Sequence, residues 1–286
     1  ALMPCVNEEQ FTSACFNDYV DFIHSVTGIT IGQKRRTMVI SRIRKRVKAL
    51  NIENYAAYLM LLKEDRCEER LFIDLITTNE TYFYRTPRIW DYISNQFLPR
   101  FYERKGKQKL RVWSAASSTG EEAYTLGILC YEFKRQHPSL MFQISGTDIS
   151  PRVLEIAEKG HYSERSIEHF RKHQPATFET YLKGNQQSGY QIVPEVKAYT
   201  DFKLHNLFSC LKSNTQYDLI LLRNVLIYFT KADQEKVLAN MYKSLAPDGC
   251  LIIGESESLI HLNTDFESVM PLVYQPKSEA VSEEVT

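Results

Sequence analysis

Four short stretches combine polar residues in ways that packing does not require. Ser114-Ala115-Ala116-Ser117-Ser118-Thr119-Gly120-Glu121-Glu122 is a run of small residues closed by two carboxylates. Asp148 stands within Gly146-Thr147-Asp148-Ile149-Ser150, His205-Asn206-Leu207 follows later, and Arg223-Asn224-Val225-Leu226-Ile227-Tyr228-Phe229 follows an apolar run. Small side chains let a ligand approach the backbone, and a helix start beside them offers free N–H groups. The run is no G-x-G-x-x-G. Paired carboxylates repel a pyrophosphate but suit a ligand carrying a sulfonium and an ammonium group, which favours S-adenosylmethionine over a nicotinamide dinucleotide. Asp148 can accept hydrogen bonds from both hydroxyls of a ribose. Asn206 and Leu207 can hold the edge and face of an adenine. Simpler roles compete: first-turn acids complement a helix dipole, which accounts for one of Glu121 and Glu122, and Asp148 or Ser150 can serve as an N-cap.

The elements that must carry these residues alternate short apolar runs with amphipathic stretches beyond Arg85, the pattern of an α/β parallel sheet flanked by helices. Strands are predicted at 110–113, 142–147, 218–222 and 250–254, with a further one near 201–204. Helices are predicted at 121–134, 151–159 and 231–245, the last stopped by a Pro247-Asp248-Gly249 turn. A closing hairpin is expected over 267–274 around Pro271. Each polar stretch then follows the carboxyl end of a strand, where open parallel sheets bind ligands.

Before this region, apolar residues from Phe11 to Ile76 recur at helical spacing, such as Val39, Ile43 and Val47, and predict a small helical domain. Its second helix concentrates Arg42, Arg44, Lys45, Arg46 and Lys48, preceded by Lys34, Arg35 and Arg36. Such a run is either a solvated face or a docking surface. Between Gly160 and Thr200 the alternation is interrupted, and Gly184 to Gly189 between apolar flanks predicts an inserted β-hairpin. Tyr190 to Val193 has strand composition, and Pro194 suits an edge.

Lys+Arg and Asp+Glu both number 35, so no overall field draws the chain to nucleic acid or anionic lipid. Six cysteines without a C-x-x-C pair suggest neither a zinc site nor a disulfide framework, and favour a reducing cytoplasm. The apolar runs are too short to cross a bilayer, and no secretory signal pattern opens the chain.

Three ordered motifs, Thr77-Thr78-Asn79-Glu80-Thr81-Tyr82-Phe83-Tyr84-Arg85, Val112 to Glu122 with Tyr124, and Arg223 to Phe229, resemble the chemotaxis-receptor glutamate methyltransferase (CheR) family. The resemblance extends from about Phe11 to Tyr274. It implies a small all-α N-terminal domain over 11–76 and a segment at 77–90 closing over the cofactor. A class I S-adenosylmethionine-dependent methyltransferase domain, Rossmann-like, then covers 91–277 with a small antiparallel β insertion at about 180–200. Residues 278–286 are expected to be a disordered tail. By the same implication Asn79, Thr81 and Arg85 contact S-adenosylmethionine, Glu122, Asp148, Asn206, Leu207, Arg223 and Asn224 line its site, and Arg85 and Tyr228 face the transferred methyl. Arg42, Arg44, Lys45 and Arg46 would dock on acidic receptor helices, and the insertion would offer an edge to a peptide from the receptor's C-terminal tail. Two departures affect the loop geometry. Ala115-Ala116-Ser117 stands where many relatives carry a glycine, and Ala123 replaces a frequent proline.

The implied partners are methyl-accepting chemotaxis receptors, with no nucleic acid and no membrane insertion. The implied reaction gives S-adenosylhomocysteine and a glutamate methyl ester, and requires neither metal nor general base because glutamate is ionised near neutrality. The competing readings are a methyltransferase with another acceptor and a non-catalytic module that binds S-adenosylmethionine and signals to a partner. The absence of an N-P-P-Y tetrad argues against a flipped-base acceptor.

Overall fold

The structure is a computed structural model that describes residues 11–77 and 80–278. Four helices come first: α1 (Ser13–Thr27), α2 (Gln33–Ala49), α3 (Tyr55–Glu64) and α4 (Arg66–Thr77). Thr12 caps α1 by accepting from the Cys15 N–H, and Asn54 caps α3 by accepting from Ala57. The apolar stripes meet in a core of Tyr19, Ile23, Ile43, Tyr58, Leu62 and Phe72, all essentially inaccessible. Tyr58 and Phe72 pack edge to face at 5.9 Å. α1 ends at Gly28, whose φ of +73° lies in the left-handed region that glycine enters without strain.

The chain then runs through α5 (Pro87–Tyr92), a π-helical turn at Ile93–Phe97 and α6 (Leu98–Lys105) into β1 (Leu110–Ala115), α7 (Glu121–Gln136), β2 (Phe142–Asp148) and α8 (Pro151–Lys159). Next come β3 (His161–Tyr162), α9 (Glu164–His173), α10 (Pro175–Tyr181), β4 (Leu182–Asn185), β5 (Gly189–Ile192), α11 (Pro194–Lys197) and β6 (Thr200–Leu204). The remaining elements are β7 (Tyr217–Leu222), α12 (Lys231–Ser244), β8 (Leu245–Ile253), β9 (Phe266–Met270) and β10 (Val273–Pro276). The large sheet has the order β6-β2-β1-β7-β8-β10-β9. Its first five strands are parallel, and β10 pairs antiparallel to both β8 and β9. Strand order reverses direction at β1 and β7, so a crevice opens beyond their carboxyl ends. Leu219 to Leu222 and Leu251 to Ile253 are buried on both faces, as central parallel strands require. No helix among the described residues is long and apolar enough to cross a membrane.

Four expectations change. The Pro247-Asp248-Gly249 turn lies inside β8: Tyr217 pairs with Leu245 and Leu219 with Cys250, so the turn loops out of a continuous ladder as an enlarged bulge. The interruption after Gly160 holds more than a hairpin, because α9 and α10 lie within it. β3 joins the hairpin in a second sheet of order β3-β5-β4, which makes β5 the central strand and not an edge. Pro194 opens α11 at its first position and ends no edge strand. The tail beyond Ser278 and Asn79 lie outside the described residues.

Candidate active site

A cavity of about 630 Å³ opens at the carboxyl ends of β1, β2 and β7, where the topology reverses. Thr81, Arg85, Glu122, Asp148, Asn206, Leu207, Arg223, Asn224 and Tyr228 all line it. The helical domain supplies a further wall through Thr27, Ile29, Arg42, Asp74 and Thr77.

The loop after β1 is held in an unusual conformation. Ala116 and Ser118 take φ of 58° and 50°, and Gly120 takes 95°. Left-handed backbone costs a non-glycine residue roughly 1–2 kcal/mol, so the surroundings must fix it. Ser117 N–H donates to the Thr147 carbonyl at 2.8 Å, Ser118 N–H to Asp148 at 2.9 Å, and the Tyr162 hydroxyl to the Thr119 carbonyl at 2.7 Å. Tyr84, Thr86 and Asn224 are also left-handed, at 58°, 69° and 59°. Five of the seven non-glycine residues with positive φ among the described residues thus lie in segments that bound the cavity.

Asp148 accepts from Ser118 through one oxygen and from the Ser150 N–H, at 3.0 Å, through the other. Burial raises its pKa above the usual carboxylate range, and the amides of Ser150, Ser118 and Ile149 oppose that shift. Ser150 is the N-cap of α8, accepting from Val153, so the cap does not occupy the Asp148 carboxylate. Neither glutamate acts as an N-cap of α7, where Gly120 makes no side-chain cap. Glu121 is buried and accepts from Thr119 and Ser166, and burial raises its pKa.

Glu122 accepts from Ser114 at 2.8 Å and pairs with Arg223 at 3.1 Å. Burial raises its pKa, and Arg223 pulls it back first among the opposing groups. The other end of the Arg223 guanidinium donates to the Arg85 carbonyl and to the Thr86 hydroxyl, both at 2.8 Å, and its plane lies 5.3 Å from the Trp90 ring centroid. Arg223 therefore ties the end of β7 to α7 and to the segment preceding α5. Asn224 is fixed by a residue that sequence reasoning missed. The Glu257 carboxylate accepts from the backbone N–H groups of Gly254, Asn224, Val225 and Leu226 at 2.7 to 3.1 Å. Burial raises its pKa against those four amides. Inspecting Gly254-Glu255-Ser256-Glu257, just beyond β8, by the strand-end rule used for the other stretches would have found it.

Arg85 donates to the Glu80 carbonyl at 2.7 Å and retains further N–H donors at the cavity wall. Tyr228 sits under the Arg35 guanidinium of α2, 4.3 Å from its ring centroid. Asn206 reaches the Val26 carbonyl at 3.5 Å and turns its own side-chain oxygen to the Phe208 N–H. His205, beside it, lines the cavity with Nε2 lacking a protein partner, and burial lowers its pKa.

The four α2 residues expected to dock on the receptor, Arg42, Arg44, Lys45 and Arg46, separate. Arg42 donates to the Leu75 carbonyl and faces the cavity. Arg46 forms a two-pronged pair with Glu68 at 2.7 and 2.8 Å, joined by the Tyr58 hydroxyl at 2.8 Å. Arg44 is half-buried, whereas Lys45 is exposed, as is Lys48.

The residues present fit S-adenosylmethionine. Glu121, Glu122 and Asp148 concentrate negative charge beside the small-residue loop, and Ser117 keeps a buried hydroxyl on the cavity wall with no protein partner. Residues 79–274 match the family described as CheR methyltransferase, SAM binding domain, and residues 14–77 match CheR methyltransferase, all-alpha domain. The chain is 32% identical over 265 residues to a chemotaxis protein methyltransferase of Borreliella burgdorferi, covering 90% of this chain and 92% of that one. It is 28% identical to chemotaxis protein methyltransferase 1 of Pseudomonas aeruginosa (93% and 98% covered) and 30% identical to the Escherichia coli chemotaxis protein methyltransferase (89% and 88%). The chain belongs to the CheR methyltransferase family.

Proposed function

We propose that this protein methylates the side-chain carboxylates of glutamates on the cytoplasmic helical domain of chemotaxis receptors, forming methyl esters in sensory adaptation. The observation that carries this reading is the convergence of Arg85 and Tyr228 on the same cavity as Asp148 and Glu122. S-adenosylmethionine supplies an electrophilic methyl group. Asp148 accepts from the ribose hydroxyls, Asn206 and Leu207 receive the adenine, and Glu122 offers negative charge to the cationic end. Thr81 completes the wall from the closing segment.

The acceptor glutamate is already ionised at neutral pH, so these residues need to orient it and exclude water, not remove a proton. Arg85 holds one carboxylate oxygen while the other is left to attack, and the Tyr228 hydroxyl donates to the held oxygen. Arg223 is held through both Nη atoms by Glu122, Arg85 and Thr86, with its buried Nε left without a protein partner, and acts by holding the site together. The exposed cations of α2, Lys45 foremost, meet the acidic receptor helix in the cytoplasm. Any strand donated by a receptor tail would pair with the outer edge of β4, where Lys183, Gly184 and Asn185 are exposed, because β5 is covered on both sides.

The test is transfer of labelled methyl to a receptor signalling-domain fragment, followed by alkali. Release of the label as methanol identifies carboxyl esters. Label that survives alkali, or that never reaches the fragment, rules the glutamate reading out.

A further inference from the structure

The helical domain touches Tyr228 twice. Arg35, in the first turn of α2, places its guanidinium carbon 4.3 Å from the Tyr228 ring centroid, and its Nη2 donates to the Ile76 carbonyl at 3.3 Å. The main chain of Tyr228 is held by the same domain, since the Thr30 N–H donates to the Tyr228 carbonyl at 2.7 Å. These contacts belong to a wider seam. A Cβ on Gly28 would stand 1.9 Å from the Phe208 ring, Phe208 packs edge to face on Phe229 at 5.2 Å, and His24 pairs with Asp233 at 2.7 Å. The seam fixes the backbone around Tyr228, and Arg35 lies over the face of its ring. A planar cation on an aromatic face resists both sliding and rotation of the ring.

We propose that Arg35 is a positioning residue for Tyr228: it holds the ring so that the hydroxyl meets the acceptor carboxylate, making the helical domain part of the reaction geometry as well as of receptor docking. This inference rests on the role given to Tyr228 above. It separates Arg35 from the exposed Lys45 and Lys48 of α2, whose charges act on the encounter with the receptor. A docking residue changes KM and its salt dependence, whereas a positioning residue changes kcat at saturating acceptor.

The experiment is a double-mutant cycle of Arg35→Gln with Tyr228→Phe, read as kcat and KM for receptor-fragment methylation, with cofactor affinity measured by calorimetry. Arg35→Gln is expected to lower kcat about 3- to 10-fold, the range for losing one cation–aromatic contact, and to leave cofactor affinity within about twofold. Arg35→Lys should recover part of the loss. In the Tyr228→Phe background, where no hydroxyl remains to be aimed, Arg35→Gln should change kcat little. An equal fall in both backgrounds, or a change confined to KM, overturns the proposal. The contact is also read without turnover: ring current should shift the Arg35 side-chain proton resonances upfield, and Tyr228→Leu should abolish that shift. A missing upfield shift overturns the proposal even if glutamates are methylated. Its presence in an enzyme that gives no alkali-labile product sustains the contact while rejecting the glutamate acceptor.

Discussion

Arg223 donates to the carbonyl oxygen of Arg85 at 2.8 Å, so the residue proposed to grip the acceptor has its backbone fixed by a side chain from the end of β7. The Trp90 indole N–H donates to the same carbonyl at 2.9 Å. The Arg223 side chain is 1% exposed and the Glu122 side chain 15%, so removing the cation strands a buried carboxylate. Arg223→Ala should destabilise the fold by about 3–5 kcal/mol. Arg223→Lys, which keeps the charge but loses the planar fork, should lose roughly 1–2 kcal/mol. Urea denaturation midpoints at equal slope distinguish the two.

Asp148 should make cofactor affinity depend on pH. Protonation removes an acceptor and a charge, so affinity falls as pH drops through its pKa, and burial starts that fall above the ordinary aspartate value of about 3.9. The apoprotein responds with the opposite sign. A folded-state pKa above the unfolded one gives a contribution to stability that is full below the unfolded pKa and is lost as pH rises through the folded pKa. Asp148→Asn should flatten both curves and weaken the cofactor by roughly 1.5–3 kcal/mol. Calorimetric titration across acidic pH, paired with thermal melts of the apoprotein, checks both signs.

The cations of α2 should divide into two classes. Arg46→Ala breaks the Glu68 and Tyr58 cluster and should cost about 2–4 kcal/mol of stability. Charge reversal of Lys45 and Lys48 to Glu, both exposed, should leave melting temperature and cofactor affinity unchanged. It should raise KM for the receptor fragment most strongly at low salt. Equal KM for the reversed and parent proteins at low salt would leave these lysines as a solvated face.

Glu257→Gln replaces an acceptor-only carboxylate by an amide whose NH2 must face backbone N–H groups. It should destabilise by roughly 2–3 kcal/mol. Because three of the four amides belong to Asn224, Val225 and Leu226, their hydrogen exchange should accelerate more than that of the β1 core. Uniform acceleration would show global destabilisation in place of loop release.

How far the sequence could be read depends on how local each signal is. The apolar runs of β1, β2 and β7 and the Pro151 start of α8 state their elements outright, and the strand-end rule reached Asp148, Asn206 and Arg223 because each directly follows its strand. Glu257 also follows its strand, so the same rule reaches its position, but its role is hidden there because the carboxylate serves amides about 30 positions earlier. Arg46 looked like its exposed neighbours because charge pattern does not reveal Glu68 one helix away. β3, only two residues long, has no periodicity to detect, yet it turns β5 from an edge into a centre. The left-handed residues Ala116 and Ser118 were equally hidden, since neither residue type announces that conformation.

The wall that the helical domain contributes to the cavity ties two equilibria together. A ligand that fills the cavity contacts Thr27, Ile29 and Asp74 as well as the sheet, so it binds the docked arrangement and not a molecule with that domain undone. Its free energy, RT ln(1 + [L]/Kd), then stabilises the helices and the sheet together, by about 2.7 kcal/mol at a hundredfold excess over Kd. Local opening of α1 through α4 becomes a gauge of cofactor saturation, and the α2 surface proposed to meet the receptor is most rigid when the enzyme is charged for transfer.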